Sequence, residues 1–189
     1  MSRIRISIFL IPFAAVFQAL SGEVSHFRGF RFGDGVERVK KLEVASLDRV
    51  TPLSVLYRDV LFGFEMTVGY HFSPSNDGLV MGSYDITCAG AEIEEVLDHY
   101  ALVCSVMEER HGRSLKDGLL WWNERTQYRN DLSNAFRFGD VGFRQEWYGE
   151  GVHVTLSLSN EINTRGEMVY RLVYQPWREY DFEEDASKL

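Results

Sequence analysis

Residues 64–72 read FEMTVGYHF, and every second side chain is apolar. Phe64, Met66, Val68, Tyr70 and Phe72 fall on one side of an extended chain, and Glu65, Thr67, Gly69 and His71 on the other. Successive side chains of a strand point to opposite faces, so this alternation predicts a strand with one face in a core and one toward water. A helix is excluded, because a period of about 3.6 residues would scatter the aromatics around its axis. Such a strand needs partners on both edges and a layer over its apolar face.

Partners follow on both sides. Ser73–Gly78 (SPSNDG) is a strong turn signal. Leu79–Cys88 then returns with Tyr84, Ile86 and Cys88 on one face, and Ser54–Leu61 precedes, which together make an antiparallel meander. A second group of strands is predicted at 119–123, 141–148, 152–159 and 168–175, with Pro176 ending the last. In the third of these Val152, Val154, Leu156 and Leu158 alternate with His153, Thr155, Ser157 and Ser159. The segment 128–135 is polar and fits either a loop or a short helix.

Two stretches switch to helical spacing. Val36, Val39 and Leu42 open the first, with Asp34 as the expected N-cap, Glu37 at capping-box distance, and Arg38, Lys40 and Lys41 toward the end. The second runs over 91–111, where Ile93, Val96, Leu97, Tyr100, Val103, Cys104 and Met107 form one stripe and Gly112 is the stop. The expected fold is α+β: an antiparallel sheet packed by helices, with a duplicated α-βββ layout. One domain spans 23–177, with tandem halves 23–88 and 89–177, and the segments 70–86 and 156–174 fit equivalent hairpins. Phe-Arg-Phe-Gly-Asp at 30–34 and 136–140 sits in non-matching places and reads as accidental.

The ends carry a different signal. Arg3 and Arg5 precede an apolar run, Ile6–Phe17, and then Ala19, Ser21 and Gly22, the three parts of a secretory signal peptide over 1–22. The run is shorter than the roughly 20 residues that span a bilayer, and Pro12 interrupts it, so a membrane anchor is disfavoured. Leu20-Ser21-Gly22 resembles the start of a lipoprotein signal, but Glu23 stands where the acylated Cys would be. A periplasmic or secreted protein with no membrane span and no lipid anchor is expected. Residues 178–189 are acidic and read as a mobile tail.

The chain carries 20 Lys+Arg against 28 Asp+Glu, a net charge of −8, which argues against a nucleic-acid partner. Removal of 1–22, with two arginines and no acid, makes it more negative still. That acidity favours cationic partners.

Residues 27–43 (FRGFRFGDGVERVKKLE) resemble an entry motif of exported bacterial domains of uncharacterised function: an aromatic-Arg-Gly start, a further aromatic-Gly, then a short helix. Many of those proteins are lipoproteins, from which Glu23 departs. The helix-plus-meander order is also similar to the β-lactamase-inhibitory-protein and outer-membrane assembly lipoprotein group. These resemblances imply export and an α+β fold, and they carry over no catalytic residues.

Candidate chemistry is sparse. Cys88 precedes the long helix and Cys104 lies well inside it, roughly 20 Å further along the axis at 1.5 Å per residue. A disulfide needs Cα atoms within about 7 Å, so both read as free core thiols. His26, His71, His99, His111 and His153 show no metal-ligand spacing; His71 and His153 sit on polar strand faces and read as solvated. Gly33-Asp34-Gly35 lacks the third glycine of a nucleotide loop. There is no GxSxG elbow, so no catalytic residue, metal or cofactor is assigned. Paired carboxylates of a periplasmic hydrolase stay open as an alternative. The aromatics Trp121, Trp122, Trp147 and Tyr148 are the candidate binding residues. Adjacent Trp121 and Trp122 must point to opposite faces of a strand, so one fills the core and the other is free for a protein or sugar partner. The alternative is that all four pack inside. The reading is a non-enzymatic exported module engaging a protein or envelope component; an envelope-assembly or lipid-binding accessory is the third possibility.

Overall fold

The structure is a computed structural model that describes residues 26–115, 118–123, 127–149, 151–162 and 167–177. The expected signal peptide (1–22) and acidic tail (178–189) lie outside these residues. The elements are α1 (Val36–Leu42), β1 (Ser46–Thr51), β2 (Ser54–Leu61), β3 (Phe64–Phe72), β4 (Leu79–Cys88), α2 (Ile93–His111), β5 (Leu119–Trp121), α3 (Leu132–Arg137), β6 (Val141–Gly149), β7 (Val152–Ile162) and β8 (Met168–Pro176). The strands form one eight-stranded sheet in the order β1-β2-β3-β4-β8-β7-β6-β5. Every pairing is antiparallel.

The alternation places β3 as expected: Met66, Val68, Tyr70 and Phe72 are buried, while Glu65, Thr67 and His71 face away. The core lies on that buried side. Phe27 stands over it, its ring about 5 Å from those of Tyr70, Tyr84 and Tyr174. Gly82 makes room for it, because a Cβ there would meet the Phe27 ring at 2.3 Å. Helix α2 covers the other half of this face. Its Tyr100 packs on Phe143 and Tyr170, its His99 on Phe64 and Tyr170, and Met107 accepts a contact from the Tyr174 hydroxyl. Cys88 and Cys104 are buried free thiols, each pushed up to about 11 by burial.

Beneath the first half sits a polar knot. Arg28, at φ 48, sends two nitrogens to Glu43 at 3.1 and 3.0 Å and a third bond to Asp59 at 3.1 Å. The Glu43 side chain is 2% exposed. It also accepts from the Tyr70 hydroxyl and from the backbone N–H groups of Val44 and Ala45. Burial raises the energy of its charged form, but these donors prevail and hold the carboxyl below its ordinary range. The same carboxylate pushes the Tyr70 phenol up, with burial the larger cause.

Two local expectations need correction. Helix α1 is capped at Gly35 with no side-chain hydrogen bond. Asp34 instead accepts from the Arg31 N–H and pairs with Arg38, and Glu37 pairs with Lys40. Helix α2 starts at Ile93, because Glu92 and Glu95 form the capping box there. The ambiguous segment 128–135 resolves into a turn followed by α3, whose first N–H groups are held by Asp131. Strand β1 is an addition: its Leu47 and Val50 lie three residues apart across a register shift, so it shows no alternation.

The open face of the sheet as candidate binding site

The face opposite α2 has no helix packed on it among the described residues. Its residues follow from strand register. One row runs Arg58–Thr67–Asp85–Arg171–Ser157–Arg144 across β2, β3, β4, β8, β7 and β6. A second runs Leu56–Gly69–Ser83–Val173–Thr155–Glu146 over the same strands. Five strand spacings make each row about 24 Å long. This face therefore mixes hydroxyls, arginines, carboxylates and imidazoles with scattered apolar side chains such as Leu56, Val60 and Val173.

Three ion pairs cross this face. Arg58 pairs with Asp48, Arg171 with Asp85, and Arg144 Nε with Glu146 Oε1 at 2.8 Å. Among the described residues a further group of exposed acids, Glu92, Glu94, Glu95, Asp98, Glu108 and Glu109, lies on the outer side of α2. A partner of the sheet face meets a polar surface of paired charges, and a cationic partner would meet the helix side instead.

One end of the face holds a built cluster. Glu146 is 1% exposed although it points to the open side. The Tyr148 hydroxyl donates to its Oε2 at 2.8 Å, and His153 Nε2 lies 3.4 Å from the same oxygen. Gln175 Nε2 donates to His153 Nδ1 at 2.9 Å, and Thr155 Oγ1 meets His153 Nε2 at 3.3 Å. The Tyr148 ring stacks on His153 at 4.4 Å with planes 5° apart, and Trp177 meets Tyr148 edge-on at 5.3 Å. The bond to Glu146 pushes the Tyr148 phenol up. Fixed tyrosine and tryptophan rings present a pre-organised surface whose ordering is already complete before a partner arrives.

The other end of β6 carries Trp122. Its indole lies over Gly142, where a Cβ would meet the ring at 2.1 Å, and the residue remains 57% exposed. Gly142 and Tyr148 are six residues apart on one strand, so the two aromatic stations stand about 20 Å apart. Arg144 and Glu146 lie between them. In the middle of the sheet His71 Nε2 meets Ser83 Oγ at 3.3 Å. Burial lowers the His71 pKa, and Asp85 opposes that only in part. A Cβ at Gly69 would come within 2.5 Å of the Ser83 oxygen, so the glycine opens the space for this contact.

The four candidate aromatics divide between the faces. Trp121 pairs in register with Val141 and packs against the core, while Trp122 is exposed on the opposite side. Tyr148 is on the open face. Trp147 is 1% exposed on the core side and is unavailable to any partner. His153, expected as merely solvated, is bound into the cluster on both ring nitrogens. Sequence reasoning missed Glu146, Arg144, Arg171, Asp85 and Trp177; the first two were legible as the same-parity neighbours of Tyr148 in FRQEWY.

A second concavity lies on the helix side. Between α2, α3 and β6, two adjoining hollows of about 390 and 280 Å³ share Tyr100, Phe143 and Gln145. Leu97, Cys104 and Leu132 add an apolar lining to the larger. Among the described residues no group of three or more His, Cys, Asp or Glu is placed to hold a metal, and no helix is long and apolar enough to cross a membrane. Comparison with known proteins finds no matching family model, no matching curated protein and no matching solved structure.

Proposed function

We propose that this chain is an exported, non-enzymatic binding module whose open sheet face engages a protein or another envelope component. The observation that carries this reading is the open face itself: an eight-stranded sheet with one side under helices and the other side set with ordered, mutually paired polar groups between Trp122 and Tyr148. A merely solvated sheet face has no need to bury a carboxylate or to stack tyrosine on histidine. Asp85 and Glu146 are each held by an arginine, which favours a recognition role for them over the acid–base pair of a hydrolase. Export rests on residues 1–22 and places the protein in the periplasm or outside the cell.

The same proposal includes a duplicated architecture. Its support is the strand order, in which β1–β4 and β5–β8 form successive quartets whose last strands, β4 and β8, meet at the centre. The shared unit is then a helix followed by four strands, one strand more than the sequence suggested, with α3 inserted between β5 and β6 in the second half.

The test is capture from an envelope fraction with the tagged protein and three variants. Trp122→Ala and Tyr148→Ala are expected to lose the partner, and Glu94→Lys on α2 to keep it. Retention of every partner by both aromatic variants would overturn the assignment. The hollow beside Tyr100 supports a second reading, a small apolar ligand, since its volume lies at the lower end of ligand pockets.

A further inference from the structure

Among the described residues strand β1 is an edge of the sheet and pairs only with β2. Its Leu47 and Val50 are 59% and 50% exposed, and Leu42, Val44 and Leu53 beside it are similarly open. An edge strand offers a row of unpaired backbone N–H and C=O groups, and natural proteins commonly guard it with charge. The two charges on this edge are of opposite sign and adjacent, Asp48 and Arg49, in the run Ser-Leu-Asp-Arg-Val-Thr. Read in either direction, the run is polar, apolar, charged, charged, apolar, polar.

The register shift in β1 sorts these side chains by face. Leu47 opposes Tyr57 and Val50 opposes Val55, and both partners belong to the core, so Leu47 and Val50 share the helix side. Arg49 opposes Leu56, and the Asp48 carboxylate pairs with Arg58, so the two charges share the open side. A regular strand would have put Leu47 and Val50 on opposite faces.

We propose that β1 pairs with β1 of a second copy of this chain, antiparallel about a two-fold axis between Asp48 and Arg49. In that register Leu47 of one copy faces Val50 of the other, Asp48 faces Arg49, and Ser46 faces Thr51, each pair occurring twice. Apolar pairs meet on the helix side, flanked by Leu53 and Val44, and opposite charges meet on the open side. The neighbouring registers are disfavoured by the same sequence. A slip one way puts Asp48 opposite Asp48, and a slip the other way puts Arg49 opposite Arg49. The two sheets merge into one, and their open faces become continuous. One strand pair with flanking apolar contacts is a small interface, so the dimer is weak and its population depends on concentration.

Sedimentation velocity across micromolar to millimolar concentrations tests this, with protein expressed from its full coding sequence and folding checked by circular dichroism. The wild type is expected to show a reversible monomer–dimer equilibrium. Arg49→Asp replaces two opposite-charge pairs by two like-charge pairs, which weakens the dimer about tenfold or more. An Arg49→Asp chain mixed with an Asp48→Lys chain restores both pairs and regains the dimer. A Leu47→Cys chain mixed with a Val50→Cys chain forms a disulfide-linked heterodimer, whereas Leu47→Cys alone does not. A monomer at every concentration, or a dimer indifferent to Arg49→Asp and Leu47→Lys, overturns the proposal.

Discussion

Replacement of Arg28 by Met tests the polar knot beneath the first half of the sheet. The change keeps an unbranched apolar stem and removes the donors to Glu43 and Asp59. The Glu43 side chain is 2% exposed, so water does not replace the lost bonds without local opening. Breaking a buried pair by removing one partner costs about 3–5 kcal/mol. Three donors to Glu43 survive, from Tyr70, Val44 and Ala45, which places the expected loss at the lower end, about 3 kcal/mol. That is a large share of the 5–15 kcal/mol typical of a domain. Glu43→Gln removes the charge from the other side, and the double variant is expected to cost less than the two single losses together by about 1–3 kcal/mol. The assay is urea unfolding followed by tryptophan fluorescence.

Acid supplies the second half of the same test. Glu43 is held below its ordinary range when folded, so its contribution is complete above the unfolded carboxyl value near 4.5 and is lost as pH falls through the folded value. The wild type should weaken in that acid window more steeply than Glu43→Gln. A loss under about 1 kcal/mol for Arg28→Met, or single losses that simply add, would refute the argument that this pair is a buried, coupled unit.

Other outcomes are as definite. Burial, aided by Arg110, lowers the His111 pKa to about 4. The unfolded chain therefore binds more protons between about 4 and 6.5, and stability falls as pH drops through that window. Nε2 of His111 is buried with no hydrogen-bond partner among the described residues, so His111→Phe should flatten this dependence without loss of stability at pH 7. Cys88 and Cys104, with thiols pushed up to about 11, should resist a thiol reagent at pH 8 until the protein unfolds, as read by absorbance. Gly142→Ala should displace the exposed Trp122 ring, with a loss of at most about 1 kcal/mol in stability and the loss of partner capture.

Much of the fold was legible because strand and helix periods differ. Phe64–Phe72 and Val152–Leu158 alternate strictly, and the Ile93–Met107 stripe repeats at helical spacing, so these elements and their buried faces follow from the sequence alone. Strand β1 escaped for a physical reason: its register shift breaks the alternation, and an edge position leaves Leu47 and Val50 exposed. The pairing of β4 with β8 joins residues at least 80 positions apart, and no local pattern encodes it. Separations of 15 and 27 residues likewise hid the Arg28–Glu43–Tyr70 knot, whose members read separately as a turn residue, a helix end and a core aromatic.

The candidate site was half legible. The opposite orientation of Trp121 and Trp122 follows from strand geometry. Which way Trp147 turns depends on the register of β6, where Gln145 and Trp147 share the core side with Phe143 although Gln145 is polar. Composition suggested an acidic surface overall, while among the described residues α2 carries a row of exposed acids and the sheet face carries three ion pairs.

The most direct test of the sheet face as the binding surface is site-specific photo-crosslinking in the intact envelope. A photoreactive phenylalanine analogue at Thr155 or Trp122 sits on the open face, and one at Leu102 sits on the outer side of α2. The account predicts one crosslinked partner from positions 155 and 122 and none from position 102. Crosslinks from position 102 with none from the open face would contradict it.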